Sequence, residues 1–172
     1  MMARILMIVA QNGFRDEELL VPKAIFERAG HQVKTASILR SKASGSKGAL
    51  INVDFGISEL NPDFFDAVIV VGGPDSPTLA SNPQVIKFIE KANSMKKIMG
   101  AICLGPMTLA NAGVLAGKNA TVFPDIKGIR AIRENGGIYF DKKVIEDELV
   151  ITANGPEAAE EFAKAILNKL KK

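Results

Sequence analysis

Lys97-Ile98-Met99-Gly100-Ala101-Ile102-Cys103-Leu104-Gly105-Pro106-Met107-Thr108-Leu109-Ala110 is the stretch that decides the fold. An apolar run meets a corner of small residues carrying the only cysteine, and a helical pattern follows at once. The stretch reads as strand, sharp turn, helix. Such a corner lifts one side chain above the carboxyl edge of a sheet, as in the nucleophile elbow of hydrolases, here with a thiol in place of a serine hydroxyl.

Upstream, residues 3–10 (Ala-Arg-Ile-Leu-Met-Ile-Val-Ala) form a nearly continuous apolar run, the mark of a strand buried on both faces of a parallel sheet. Gln11-Asn12-Gly13 breaks it. Asp16 opens a helical pattern with Leu19, Leu20, Ala24, Ile25 and Phe26, which Ala29-Gly30 closes. Residues 32–39 read as a second strand, and the Ser/Gly/Lys-rich residues 40–48 as a loop that leaves the main sheet. Ala67-Val68-Ile69-Val70-Val71 is the clearest strand and ends at Gly72-Gly73-Pro74. Asn82-Pro83 caps a helix running to about Met95.

Downstream of the corner, a helix is expected from Pro106 to Ala112. Residues 121–124 precede a basic helix through Arg133, and residues 144–152 form a two-stranded element around Asp147. Residues 156–170 form a closing helix, with acids in its first turn and lysines at its end to match the helix dipole.

Strands alternating with helices, with no long interior linker, predict one α/β domain over residues 1–172: a doubly wound, mostly parallel sheet sandwiched by helices. Sites in such folds form beyond the carboxyl ends of the strands. Three ends stand out: Gln11 to Glu18, Gly72 to Ser76, and Cys103 to Gly105. If these strands are neighbours, Glu17 or Glu18 faces Cys103, and backbone N–H groups near Gly73 and Leu104 point inward as oxyanion donors.

The totals exclude several classes. The chain has 172 residues, 47% hydrophobic and 24% charged, which suits a soluble globular protein with a sizeable core. No apolar run approaches the roughly 18 residues of a membrane helix, and no leader pattern precedes the first strand, so a cytoplasmic protein with no membrane partner is expected. A single cysteine cannot make an internal disulfide, leaving Cys103 as either core filler or a reactive thiol. The net charge of +3 is scattered, and with no Trp and one Tyr no nucleic-acid partner is expected. His31, the only histidine, starts a strand at the amino edge of the sheet, too far from Cys103 to form a Cys–His pair within one subunit. No phosphate loop, dinucleotide fingerprint or metal-ligand spacing occurs, so neither metal nor cofactor is expected.

Ala101-Ile102-Cys103-Leu104-Gly105-Pro106, Val70-Val71-Gly72-Gly73, Asp16-Glu17-Glu18 with Val21-Pro22, Ala29-Gly30 and Asn154-Gly155-Pro156 together resemble the ThiJ/PfpI family of the class I glutamine amidotransferase-like superfamily. The likeness spans nearly the whole chain and is closer to the parkinsonism-associated deglycase branch than to the PfpI protease branch. It implies a flavodoxin-like sandwich, a homodimer or larger homo-oligomer, and a reactive elbow cysteine hydrogen-bonded by a protonated glutamate. Counting back from Pro22, that glutamate is Glu18. The protease branch carries histidine where this chain has Leu104, and the deglycase branch usually has one at the position of Phe123.

The resemblance therefore implies a cofactor-independent glyoxalase or deglycase, in which Cys103 and Glu18 act on small 2-oxoaldehydes or on glycated protein. Alternatives are a redox-sensing or chaperone-like stress protein working through oxidation of Cys103, an intracellular cysteine peptidase, against which Leu104 and Phe123 argue, and a family member without catalysis.

Overall fold

The structure, a computed structural model, describes residues 1–172. Its first half runs β1 (Arg4–Ile8), β2 (Asn12–Phe14), α1 (Asp16–Arg28), β3 (Gln32–Ser37), β4 (Lys42–Gly45), β5 (Leu50–Asn52), β6 (Phe55–Gly56), β7 (Ala67–Val70), α2 (Pro77–Ala80) and α3 (Pro83–Ser94). The second half runs β8 (Ile98–Ile102), α4 (Pro106–Asn111), β9 (Asn119–Ala120), α5 (Ile126–Glu134), β10 (Ile138–Tyr139), β11 (Val144–Asp147), β12 (Val150–Ala153) and α6 (Ala159–Leu170).

Seven strands form the central sheet in the order β11-β12-β8-β7-β1-β3-β6. Only β11 runs antiparallel to its neighbour. The continuous apolar runs follow from burial on both faces, because successive side chains point to opposite sides. Ile5, Met7 and Val9 enter one core with Ala67, Ile69 and Ile102, while Leu6, Ile8 and Ala10 enter the other with Val68, Val70 and Met99. Leu19 and Phe26 of α1 and Phe162 and Ile166 of α6 close the first core. Val85 and Ile89 of α3, Leu109 of α4 and Ile132 of α5 close the second. A Cβ on Gly100 would lie 3.0 Å from Ile166 and 3.1 Å from Phe162, so this glycine brings α6 close onto β8.

From β1 the chain moves outward to β3, then crosses back to β7 on the other side of β1. The order therefore reverses between β1 and β7, where doubly wound sheets open a crevice at their carboxyl ends. Asn82 caps α3 as its position predicts, its side chain accepting from the N–H groups of Gln84 at 3.0 Å and Val85 at 3.1 Å.

Three stretches differ from the sequence expectation. The expected break at residues 11–13 is instead part of β2, which pairs with β4, and β4 with β5, in a small separate sheet. These strands are only three or four residues long, too short to carry an apolar period. The hairpin around Asp147 forms, but β12 also pairs in parallel with β8 and so belongs to the main sheet. The closing helix begins with a 3-10 turn, Pro156–Ala158, before α6. No helix is long and apolar enough to cross a membrane.

Candidate functional site

β8 ends at Ile102, and the next residue turns the corner. Cys103 has φ of +61°, a left-handed conformation that costs a non-glycine residue about 1–3 kcal/mol and persists only when its surroundings hold it. They hold it from both sides: the Cys103 N–H donates to Ala153 O at 2.9 Å, and its carbonyl accepts from the Phe123 N–H at 2.8 Å. A Cβ on Gly105 would come within 2.5 Å of Val70 O, so the missing side chain seats the turn directly on β7. Pro106 then starts α4 at a position where no N–H is needed.

Glu18 projects from the first turn of α1 and is fully buried. Neither carboxyl oxygen has a hydrogen-bond partner within the chain. A Cβ on Gly72 would lie 2.6 Å from Cys103 Cβ and 2.7 Å from Glu18 Oε1, so thiol and carboxyl converge over this glycine. Burial pushes the Glu18 carboxyl up to about 8, opposed by contact with the thiol and by the Arg15 charge. The Cys103 thiol is pushed up to about 12, first by burial, then by the charge and contact of Glu18. The backbone N–H groups of Gly73 and Leu104 face the sulfur and pull the other way. Glu18 raises the thiol through its charge only while ionised, so the two titrate as a pair. Burial thus favours the protonated form of both groups. Burial outweighs the pull of the two amides.

Of the adjacent acids left open by spacing, Glu18 turns in and Glu17 turns out. Arg15 caps the start of α1, its N–H donating to Gly72 O at 2.9 Å and its Nε to Glu17 at 2.6 Å. Gly73, at φ of +121°, has no room for a side chain because the Arg15 backbone lies against it. Asp16, 7% exposed, accepts from the N–H groups of Lys47 at 3.0 Å and Ala49 at 2.8 Å, fixing the start of α1 to the β4–β5 turn. Sequence reasoning missed both roles, although a basic residue directly before three first-turn acids was a visible sign at Arg15.

Apolar side chains lie on the other side of the elbow. Phe123 lies beside Cys103 through their backbone hydrogen bond, remains 43% exposed, and sets its ring 3.7 Å from where a Cβ of Gly155 would be. Leu104 is partly buried against the core. His31 lies at the far end of β1, where its Nδ1 accepts from the Ala3 N–H at 3.0 Å. No group of three or more His, Cys, Asp or Glu side chains has metal-holding geometry.

A solved ThiJ/PfpI domain protein from Brachyspira murdochii superposes on the chain with a TM-score of 0.94, at 30% identity over 99% of this chain and 97% of that one. A Pyrococcus abyssi protein named a deglycase is 33% identical over 87% of this chain and 89% of its own. A Caenorhabditis elegans protein named a glutathione-independent glyoxalase is 31% identical over 89% of this chain and 81% of its own. The family model described as DJ-1/PfpI matches residues 3–169. With a mostly parallel flavodoxin-like sheet, a strained elbow at Cys103 and a match over nearly its whole length, the chain belongs to the DJ-1/PfpI family.

Proposed function

We propose that the chain, acting as one domain, is a cofactor-independent glyoxalase or deglycase whose substrates are small 2-oxoaldehydes or their adducts on protein side chains. The observation that carries this reading is the buried, unpartnered Glu18 carboxyl meeting Cys103 over Gly72. A carboxyl that nothing in the chain satisfies, beside a thiol faced by two amides, suits proton transfer at a bound carbonyl.

The reaction starts from the pair with one proton lost. Glu18 takes the S–H proton as the sulfur bonds to the aldehyde carbon, then returns it to the former carbonyl oxygen, giving a hemithioacetal. The Gly73 and Leu104 amides steady the oxygen while it is negative. Glu18, again a carboxylate, removes the C–H proton of that carbon and delivers it to the neighbouring carbon, while the hydroxyl proton on the sulfur-bound carbon passes to the former ketone oxygen, so the ketone becomes a secondary alcohol and the sulfur-bound carbon a thioester. Water then cleaves the C–S bond, releasing the 2-hydroxy acid and restoring the thiol. The oxidation and reduction are internal to the substrate. On an adduct, the sulfur displaces the protein amine or guanidine from the aldehyde carbon, the S–H proton passing through Glu18 to the departing nitrogen, and the same hemithioacetal results. A Cys–His peptidase mechanism lacks its imidazole, since Leu104 and Phe123 stand at both family positions and His31 is at the other end of β1.

The test is lactate formation from methylglyoxal. Cys103→Ser and Glu18→Gln should each lower kcat/KM by about 100-fold or more. Full activity in Cys103→Ser, or none in the wild type, overturns the reading.

A further inference from the structure

The surroundings of the elbow differ in chemistry from one side to the other. On the β7 side stand Glu18, the amide of Gly73 and the Arg15–Glu17 ion pair. On the β12 side stands the Phe123 ring, against the bare backbone of Gly155. A large apolar side chain left 43% exposed costs hydration free energy that burial would recover. Its main-chain bond to Cys103 fixes the Phe123 backbone beside the elbow that carries the nucleophile. Gly155 adds to this, since the missing Cβ leaves the space beside the ring open.

Resting on the Cys103–Glu18 reading above, we infer that Phe123 is a specificity-determining wall that selects 2-oxoaldehydes carrying an apolar, preferably aromatic, group on the ketone carbon. The two carbonyls lie toward Glu18 and the amides, where their oxygens find donors. The apolar group lies on the Phe123 ring, where offset stacking and loss of hydration favour phenyl over methyl. The same residue position filled by histidine would offer a polar edge, so the preference is a property of this chain's phenylalanine. Chemistry at the reacting carbons is the same for both groups, and the selection enters through binding.

The experiment compares phenylglyoxal with methylglyoxal, by mandelate and lactate formation, in wild type, Phe123→Ala and Phe123→Leu. Phe123→Ala should lower the phenylglyoxal-to-methylglyoxal ratio of kcat/KM by about five- to tenfold, chiefly through KM for phenylglyoxal, and Phe123→Leu should restore part of it. An unchanged ratio overturns the inference, as does a ratio that changes only through kcat. Should neither aldehyde be converted, the reading of function falls and the wall is read separately. The rates of Cys103 alkylation by phenacyl bromide and by iodoacetamide, followed by mass spectrometry, give that second measure. Their ratio should fall about fivefold or more in Phe123→Ala, and equal slowing or no change with both reagents rejects the wall.

Discussion

Glu18 and Cys103 meet over a residue that has no side chain: a Cβ on Gly72 would stand 2.7 Å from the carboxyl Oε1 and 2.6 Å from the cysteine Cβ. The same atom would press to 2.5 Å on Ile102 O, which is backbone and cannot swing away. Gly72→Ala should therefore separate the pair and overpack β7 against β8. We expect a destabilisation of about 1–3 kcal/mol in urea unfolding, and loss of nearly all Cys103-dependent turnover under conditions where the variant is folded. A folded Gly72→Ala protein with wild-type kcat/KM would show that the closeness is irrelevant to activity.

The buried Glu18 carboxyl ties stability to pH. Its ordinary value is 4.5, and burial lifts it to about 8 in the folded chain. Between those two values the unfolded chain has released the proton and the folded chain keeps it, so the unfolded state binds fewer protons and stability falls as pH rises. The loss is complete once pH passes the folded value and on the order of 3–5 kcal/mol across the window. Glu18→Gln has no such proton to hold. Urea unfolding at pH 5 and pH 8 should show a drop in the wild type that is largely absent from Glu18→Gln, and equal drops in the two proteins would refute the assignment.

Reactivity should follow the same pair. With the thiol pushed up to about 12 and Glu18 to about 8, wild-type Cys103 should alkylate slowly at neutral pH. Removing the Glu18 charge removes one cause of the raised thiol, so Glu18→Gln should shift the alkylation profile to lower pH. Turnover behaves oppositely: it needs the carboxylate, so wild-type kcat/KM should climb through about pH 8 and Glu18→Gln should lose that climb. A wild-type thiol titrating at or below about pH 6 would contradict both profiles.

The backbone of this arrangement was legible in the chain. Apolar runs such as Ile5–Ile8 and Val68–Val71 mark strands buried on two faces, and the glycines at 72, 73 and 105 mark their ends. Cys103 and the acids at 17 and 18 follow, since each lies just beyond such an end. What stayed hidden depends on contacts between residues far apart in sequence. Asp16 looks like an ordinary first-turn acid until Lys47 and Ala49 bring their amides to it. Nothing local distinguishes β2 and β4, whose pairing joins residues about thirty positions apart. The direction of the thiol shift was equally out of reach, because the degree of burial is a product of the whole packed fold.

The two main-chain bonds on Cys103 also fix the order in which the protein becomes competent. One runs to Ala153 at the end of β12 and the other to Phe123, so both supports are synthesised after the residue they hold. Until Phe123 is placed and the final hairpin docks against β8, the two bonds that hold Cys103 in its left-handed turn are incomplete. Competence is thus a late event in maturation, and Cys103 reports directly on whether the carboxyl-terminal third of the chain is in place.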